Sequence, residues 1–91
     1  MSENEIPVKI PEEILRGAYA NQMVVRHTRE EFVMDFVSVF PPGGVVVARV
    51  LVSPGHCKRM IRALQENVAR YEASFGPILE AEPPPPSSIR N

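Results

Sequence analysis

The side chains best suited to chemistry in this 91-residue chain are few and mostly isolated. His56 and Cys57 stand side by side, and His27 is the other histidine. Structural zinc sites use four ligands, with paired ligands separated by two or more residues. Adjacent residues on a helix point about 100° apart, so His56 and Cys57 make a poor metal pair. No metal site is expected. Cys57 also falls on an apolar stripe, where a small buried thiol is the ordinary reading. Asp35, Glu30 and Glu31 are the central carboxylates, but neighbouring strand positions face opposite ways, so Glu30 and Glu31 form no acid–base dyad. Gly-rich phosphate loops, nucleophile elbows and zinc-hydrolase helix motifs are missing from the sequence. The expectation is a protein that is not an enzyme, with no catalytic residues and no cofactor.

The basic residues are the remaining chemical feature. Between residues 16 and 75 eight basic side chains face five acidic ones, an excess of three. Lys58, Arg59 and Arg62 crowd the start of a helix, where the macrodipole disfavours cations but free N–H groups and cations together can hold an anion. With Arg26 and Arg29 they are the candidate contacts for phosphate or nucleic acid. A dedicated nucleic-acid surface would carry more basic residues and stacking aromatics on one face.

These groups must be positioned by a short series of elements. The helix is marked at both ends: Ser53 as N-cap, Pro54 at the first helical position, Gly76 at the left-handed stop and Pro77 beyond it. Cys57, Met60, Ile61, Leu64, Val68, Tyr71 and Phe75 repeat at three-and-four spacing along one stripe. Before it, Tyr19–Thr28, Glu31–Phe40 and Val45–Val52 read as strands, the last two joined as a hairpin across Pro41-Pro42-Gly43-Gly44. Ile6, Val8 and Ile10 alternate with Pro7 and Lys9, which suggests a short edge strand, and residues 11–17 suggest one helical turn.

The hairpin register decides what each face carries. Phe32, Met34, Phe36, Ser38 and Phe40 lie on one side of their strand, and Val33, Asp35, Val37 and Val39 on the other. With Phe40 opposite Val45, Asp35 would be left without a partner. With Phe40 opposite Val46, Asp35 and Arg49 share a face as diagonal neighbours, and an ion pair is tolerated where a lone buried charge is not. The second register is therefore expected, with Asp35 and Arg49 as a structural ion pair. The helix then covers the phenylalanine face. Val33, Val37, Val39, Val45, Val47 and Leu51 are left as an apolar patch, the mark of an interface, and a symmetric homodimer is the usual way to bury one.

Composition bounds these readings. A hydrophobic share of 44%, 23% charged residues and a net charge of −1 describe an ordinary small globular domain, neither disordered nor strongly basic. No apolar run is long enough to span a membrane, the acidic start Met-Ser-Glu-Asn-Glu is no secretory signal, and a lone cysteine suits a reducing cytoplasm. Four consecutive prolines, Pro83–Pro86, favour an extended polyproline conformation. Residues 80–91 are thus expected to be a disordered tail, open to a protein partner, behind a single domain at 1–79.

Several ordered motifs are familiar. Tyr19-Ala20-Asn21, Glu31-Phe-Val-Met-Asp35-Phe36, Ser53-Pro-Gly-His56-Cys-Lys58-Arg59 and Tyr71-Glu-Ala-Ser-Phe75-Gly76-Pro77-Ile78 resemble a family of short bacterial and archaeal proteins known only as a domain of unknown function. The resemblance spans residues 14–79. It implies no activity and transfers no catalytic residue, and it directs attention to Asn21, Asp35, His56 and Lys58. Cys57 departs from its pattern, which has a small residue there.

The expected fold is α+β: an antiparallel meander of three or four strands, covered on one face by a single long C-terminal helix. The expected function is a cytoplasmic, homo-oligomeric interaction or adaptor module. The alternative is an accessory protein that binds nucleic acid or phosphate through the basic helix start.

Overall fold

A computed structural model describes residues 5–82 of the chain. Its elements are β1 (Gln22–His27), β2 (Phe32–Phe40), β3 (Gly43–Val52) and α1 (Pro54–Phe75), preceded by a 3-10 turn at Glu12–Ile14. The strands form one antiparallel sheet in chain order, with β2 in the centre. This is an α+β arrangement with a single C-terminal helix. The segment Ile6–Ile10 forms no strand, and Ile6 and Val8 are almost fully exposed. Pro7 removes a backbone donor from that stretch and Pro11 follows it directly, so a ladder there would be interrupted.

The two hairpin turns are built differently. Between β1 and β2, the Thr28 N–H donates to the Glu31 carbonyl at 2.9 Å, while its hydroxyl accepts from the N–H groups of Glu30 and Glu31 at 3.2 and 3.3 Å. A threonine at this position closes the turn with its own side chain. Between β2 and β3, Pro41-Pro42 alone makes the turn, and Phe40 pairs with Gly43. The two glycines therefore belong to β3 and not to the connecting loop. Gly44 lies opposite Val39, and a β-carbon there would come within 3.2 Å of Val39 Cγ2 and 3.4 Å of Val37 Cγ1. The two valines occupy the space that glycine leaves.

This start, two residues earlier than expected, shifts the register. From Phe40 to Val37 the partners run Gly43 to Val46; then Phe36 pairs with Ala48 and Val47 is the extra residue of a bulge. Beyond it Asp35 stands directly opposite Arg49, not diagonal to it. Opposed residues share a face. One face thus carries Phe32, Met34 and Phe36 with Val52, Val50 and Ala48, and nearer the turn Ser38 with Val45. The other carries Val33, Asp35, Val37 and Val39 with Leu51, Arg49, Val46 and Gly44.

The helix boundaries match the capping signals. The Ser53 hydroxyl accepts from the His56 N–H at 3.1 Å, and Pro54 opens the helix. Gly76, at φ 94°, ends it, its N–H donating to the Glu72 carbonyl. The expected cover over the phenylalanine face is not formed within one chain. Cys57 and Met60 are half-buried, but every residue from Ile61 to Phe75 is exposed. The physical reason lies in the junction: β3 ends at Val52 and α1 begins at Pro54, so Ser53 alone connects them. Among the described residues the buried ones are Met34, Asp35, Val37 and Val39, all on the central strand.

Candidate functional site

The sheet holds one polar centre. Asp35 is 4% exposed, and its carboxylate is gripped by the Arg49 guanidinium as a fork, Nε to Oδ1 at 2.6 Å and an amino nitrogen to Oδ2 at 2.8 Å. Arg26 adds a third donor at 3.1 Å to Oδ2. Strand pairing explains the triad: Asp35 lies between Arg49 of β3, directly across, and Arg26 of β1, one diagonal step away on the same face. The hydrogen-bonded Arg49 fork lowers the Asp35 pKa below the usual carboxylate value; burial opposes the shift, and the charges of Arg49 and Arg26 add to it. The same pairing raises the pKa of Arg49. Every carboxylate oxygen is occupied by a cation, so Asp35 is organised as a structural anion and not as a base. Arg26 was not foreseen as a partner, although its alternation with Val24 and Gln22 places it on the Asp35 face.

A second polar device lies at the entry to the sheet. The Asn21 side chain donates to the Val39 carbonyl at 2.9 Å and accepts from the Val39 N–H at 2.8 Å. Its own N–H donates to the Val37 carbonyl at 3.0 Å. The carboxamide thus continues the β1–β2 ladder for one more step, pairing backbone groups of a valine that is buried. Among the described residues no buried side-chain polar atom lacks a hydrogen-bond partner.

The six residues expected to form one apolar interface are divided. Val37 and Val39 are already buried within the chain. Val33 and Leu51 oppose each other on the triad face, while Val45 opposes Ser38 on the phenylalanine face. Val47, the bulged residue, lines the same groove as Phe36, Ala48 and Val50. The bulge breaks the simple alternation on which the single patch depended.

The candidate anion contacts are also dispersed. Arg26 is committed to Asp35, Arg29 lies in the turn after β1, and Lys58, Arg59 and Arg62 lie in the first half of α1. Arg59 approaches His56 Nδ1 at 3.0 Å. Among the described residues no cluster of three metal-ligating side chains occurs, and no helix is long and apolar enough to cross a membrane.

The most extensive unassigned surface is apolar. On α1, Ile61, Leu64, Val68, Tyr71 and Phe75 are between 45% and 76% exposed. On the phenylalanine face Met23, Val25, Val50, Phe40 and Val45 are 40–66% exposed. That face also bears a groove of about 460 Å³ between the sheet and the segment Glu13–Ala20. A family profile for proteins of unknown function, DUF3467, matches residues 1–80. The chain belongs to the DUF3467 family. No curated protein and no solved structure matches it. The family match includes the triad, the Asn21 clamp and the apolar stripe of this DUF3467 chain, and it ends before Pro83–Pro86, which lie outside the described residues.

Proposed function

We propose that this DUF3467 protein is a non-enzymatic, cytoplasmic interaction module that works as a homo-oligomer. The observation that carries the proposal is the stripe of α1, where five large apolar side chains in succession lie open to water. Helices draw most of their stability from packing an amphipathic face, and an exposed apolar surface of this extent marks an interaction site. The chemistry of the polar groups agrees with a binding role. Asp35 is neutralised by two arginines, and the Asn21 carboxamide is spent on the backbone. The proline run at residues 83–86 is a candidate ligand for a protein partner with an aromatic groove.

The decisive measurement is solution mass by light scattering at low and high salt, with absorbance at 260 and 280 nm on the same peak. The expected result is a dimer that persists in high salt and carries no nucleic acid. A monomer at all concentrations would refute self-association. An elevated 260 nm signal lost in high salt would favour the phosphate or nucleic-acid reading, which now rests on Arg29, Lys58, Arg59 and Arg62. In that case Lys58→Glu with Arg59→Glu should abolish the signal.

A further inference from the structure

The chain contains both layers of a helix-on-sheet sandwich but does not stack them. The phenylalanine face of the sheet is mostly apolar: Met23 and Val25 on β1, Phe40 at the end of β2, and Val45 and Val50 on β3 are 40–66% exposed, Phe32 and Phe36 are half-buried, Met34 is buried, and His27 and Ser38 are its polar members. Helix α1 is 22 residues long, about 33 Å at the standard rise. Its apolar stripe faces water from Ile61 onward.

From these facts we infer that the partner of each layer is the other layer of a second copy: α1 of one protomer lies across the phenylalanine face of its twin, and the twin returns the contact. The inference rests on the self-association proposed above and specifies its surfaces. Three observations favour a second copy as the occupant. The deficit is reciprocal, since each chain offers one partly uncovered sheet face and one uncovered helix, and a two-fold axis satisfies both at once. The area is sufficient. The helix stripe and the sheet face each leave roughly 500 Å² of apolar side chain open, so two reciprocal contacts bury about 2,000 Å², at the upper end of the range for stable standard interfaces. Little of the cover comes from the rest of the described chain: Ile6, Val8, Ile10, Ile14 and Leu15 of the N-terminal segment are themselves 58–89% exposed, and positions 1–4 and 83–91 add Met1 and Ile89 as large apolar side chains.

The choice of face follows from charge. The opposite face carries Asp35, Arg26 and Arg49, and covering it with an apolar helix would strip water from the exposed parts of both guanidiniums. The phenylalanine face carries no Asp, Glu, Lys or Arg, and its polar members are Ser38 and, on β1, His27. Ser53 alone separates β3 from α1, and the helix is exposed in its own chain from Ile61 to Phe75.

The experiment uses the unmodified chain. Copies carrying carbon-13 methyl groups are mixed with unlabelled copies, refolded together, and examined by isotope-filtered nuclear Overhauser spectroscopy, with the mass of the same sample measured by light scattering. The expected result is a dimer in which the methyl groups of Ile61, Leu64 and Val68 show contacts between copies to Met23, Val25 and Val50. A dimer whose contacts between copies join helix only to helix, or sheet only to sheet, overturns the exchanged arrangement and leaves self-association standing. Helix-to-sheet contacts confined within one copy overturn it as well. A monomeric sample overturns both.

Discussion

Leu64→Ala tests the helix stripe at its centre. Leu64 keeps 63% of its surface open in the single chain, and it contacts the rest of the molecule little. Burying a leucine fully contributes about 1.5–3 kcal/mol, so covering the open share contributes about 1–2 kcal/mol at each site. A two-fold dimer contains the site twice. The substitution should therefore weaken association by about 2–4 kcal/mol, a rise of roughly 30- to 850-fold in the dimer dissociation constant. Sedimentation across a dilution series reads this directly, with circular dichroism at high concentration to show that alanine keeps the helix. Arg62→Ala, on the opposite side of α1, is the matched control and should leave the constant unchanged. If Leu64→Ala shifts the dissociation constant by less than about threefold, the stripe is not the association surface, and the burial argument from the exposed helix fails.

Three further substitutions probe the parts that position this surface. Asn21→Ala leaves the N–H and C=O of Val39 without their protein partners; a loss of about 1–3 kcal/mol in urea unfolding is expected, and no loss would show that water replaces the clamp. Asp35→Asn should destabilise the fold at neutral pH and much less in acid. The folded pKa is lowered, so the Asp35 contribution is present above the unfolded value of about 3.9 and is lost as pH falls through the folded value. Urea midpoints of wild type and variant should thus converge below about pH 4, and a gap that stays constant with pH would rule out the ionised triad. Ser53→Ala removes the acceptor for the His56 N–H and should cost about 1 kcal/mol of helix stability, read as a lower thermal midpoint of the helical signal.

The parts of this fold that were legible from sequence depend on neighbours along the chain. Ser53, Pro54 and Gly76 mark the helix ends through local backbone chemistry, and the structure places α1 between those same residues. The hairpin register was not legible, because the choice considered was between two unbroken ladders. The real ladder contains a bulge at Val47, which places Asp35 directly opposite Arg49 and moves Val45 to the face away from Val33. No residue type near Val47 announces a bulge. The third arm of the triad was missed for a different reason: Arg26 reaches Asp35 only once β1 and β2 are aligned. The helix stripe was legible as apolar, but periodicity reports that a face needs cover without reporting which surface supplies it.

The strand order has a kinetic consequence. Each strand pairs with its immediate successor in the chain, so the sheet can close by two hairpin steps with short loops and little loop-closure entropy. Such local topologies fold faster than those built on pairings distant in sequence. In the proposed dimer the helix stripe, by contrast, gains its packing only when another sheet arrives. For the proposed dimer, folding would therefore divide into a fast first-order event and a slower encounter whose rate rises with protein concentration. At low abundance that encounter would set the pace, and the newly made chain would spend the interval with its apolar helix face in water.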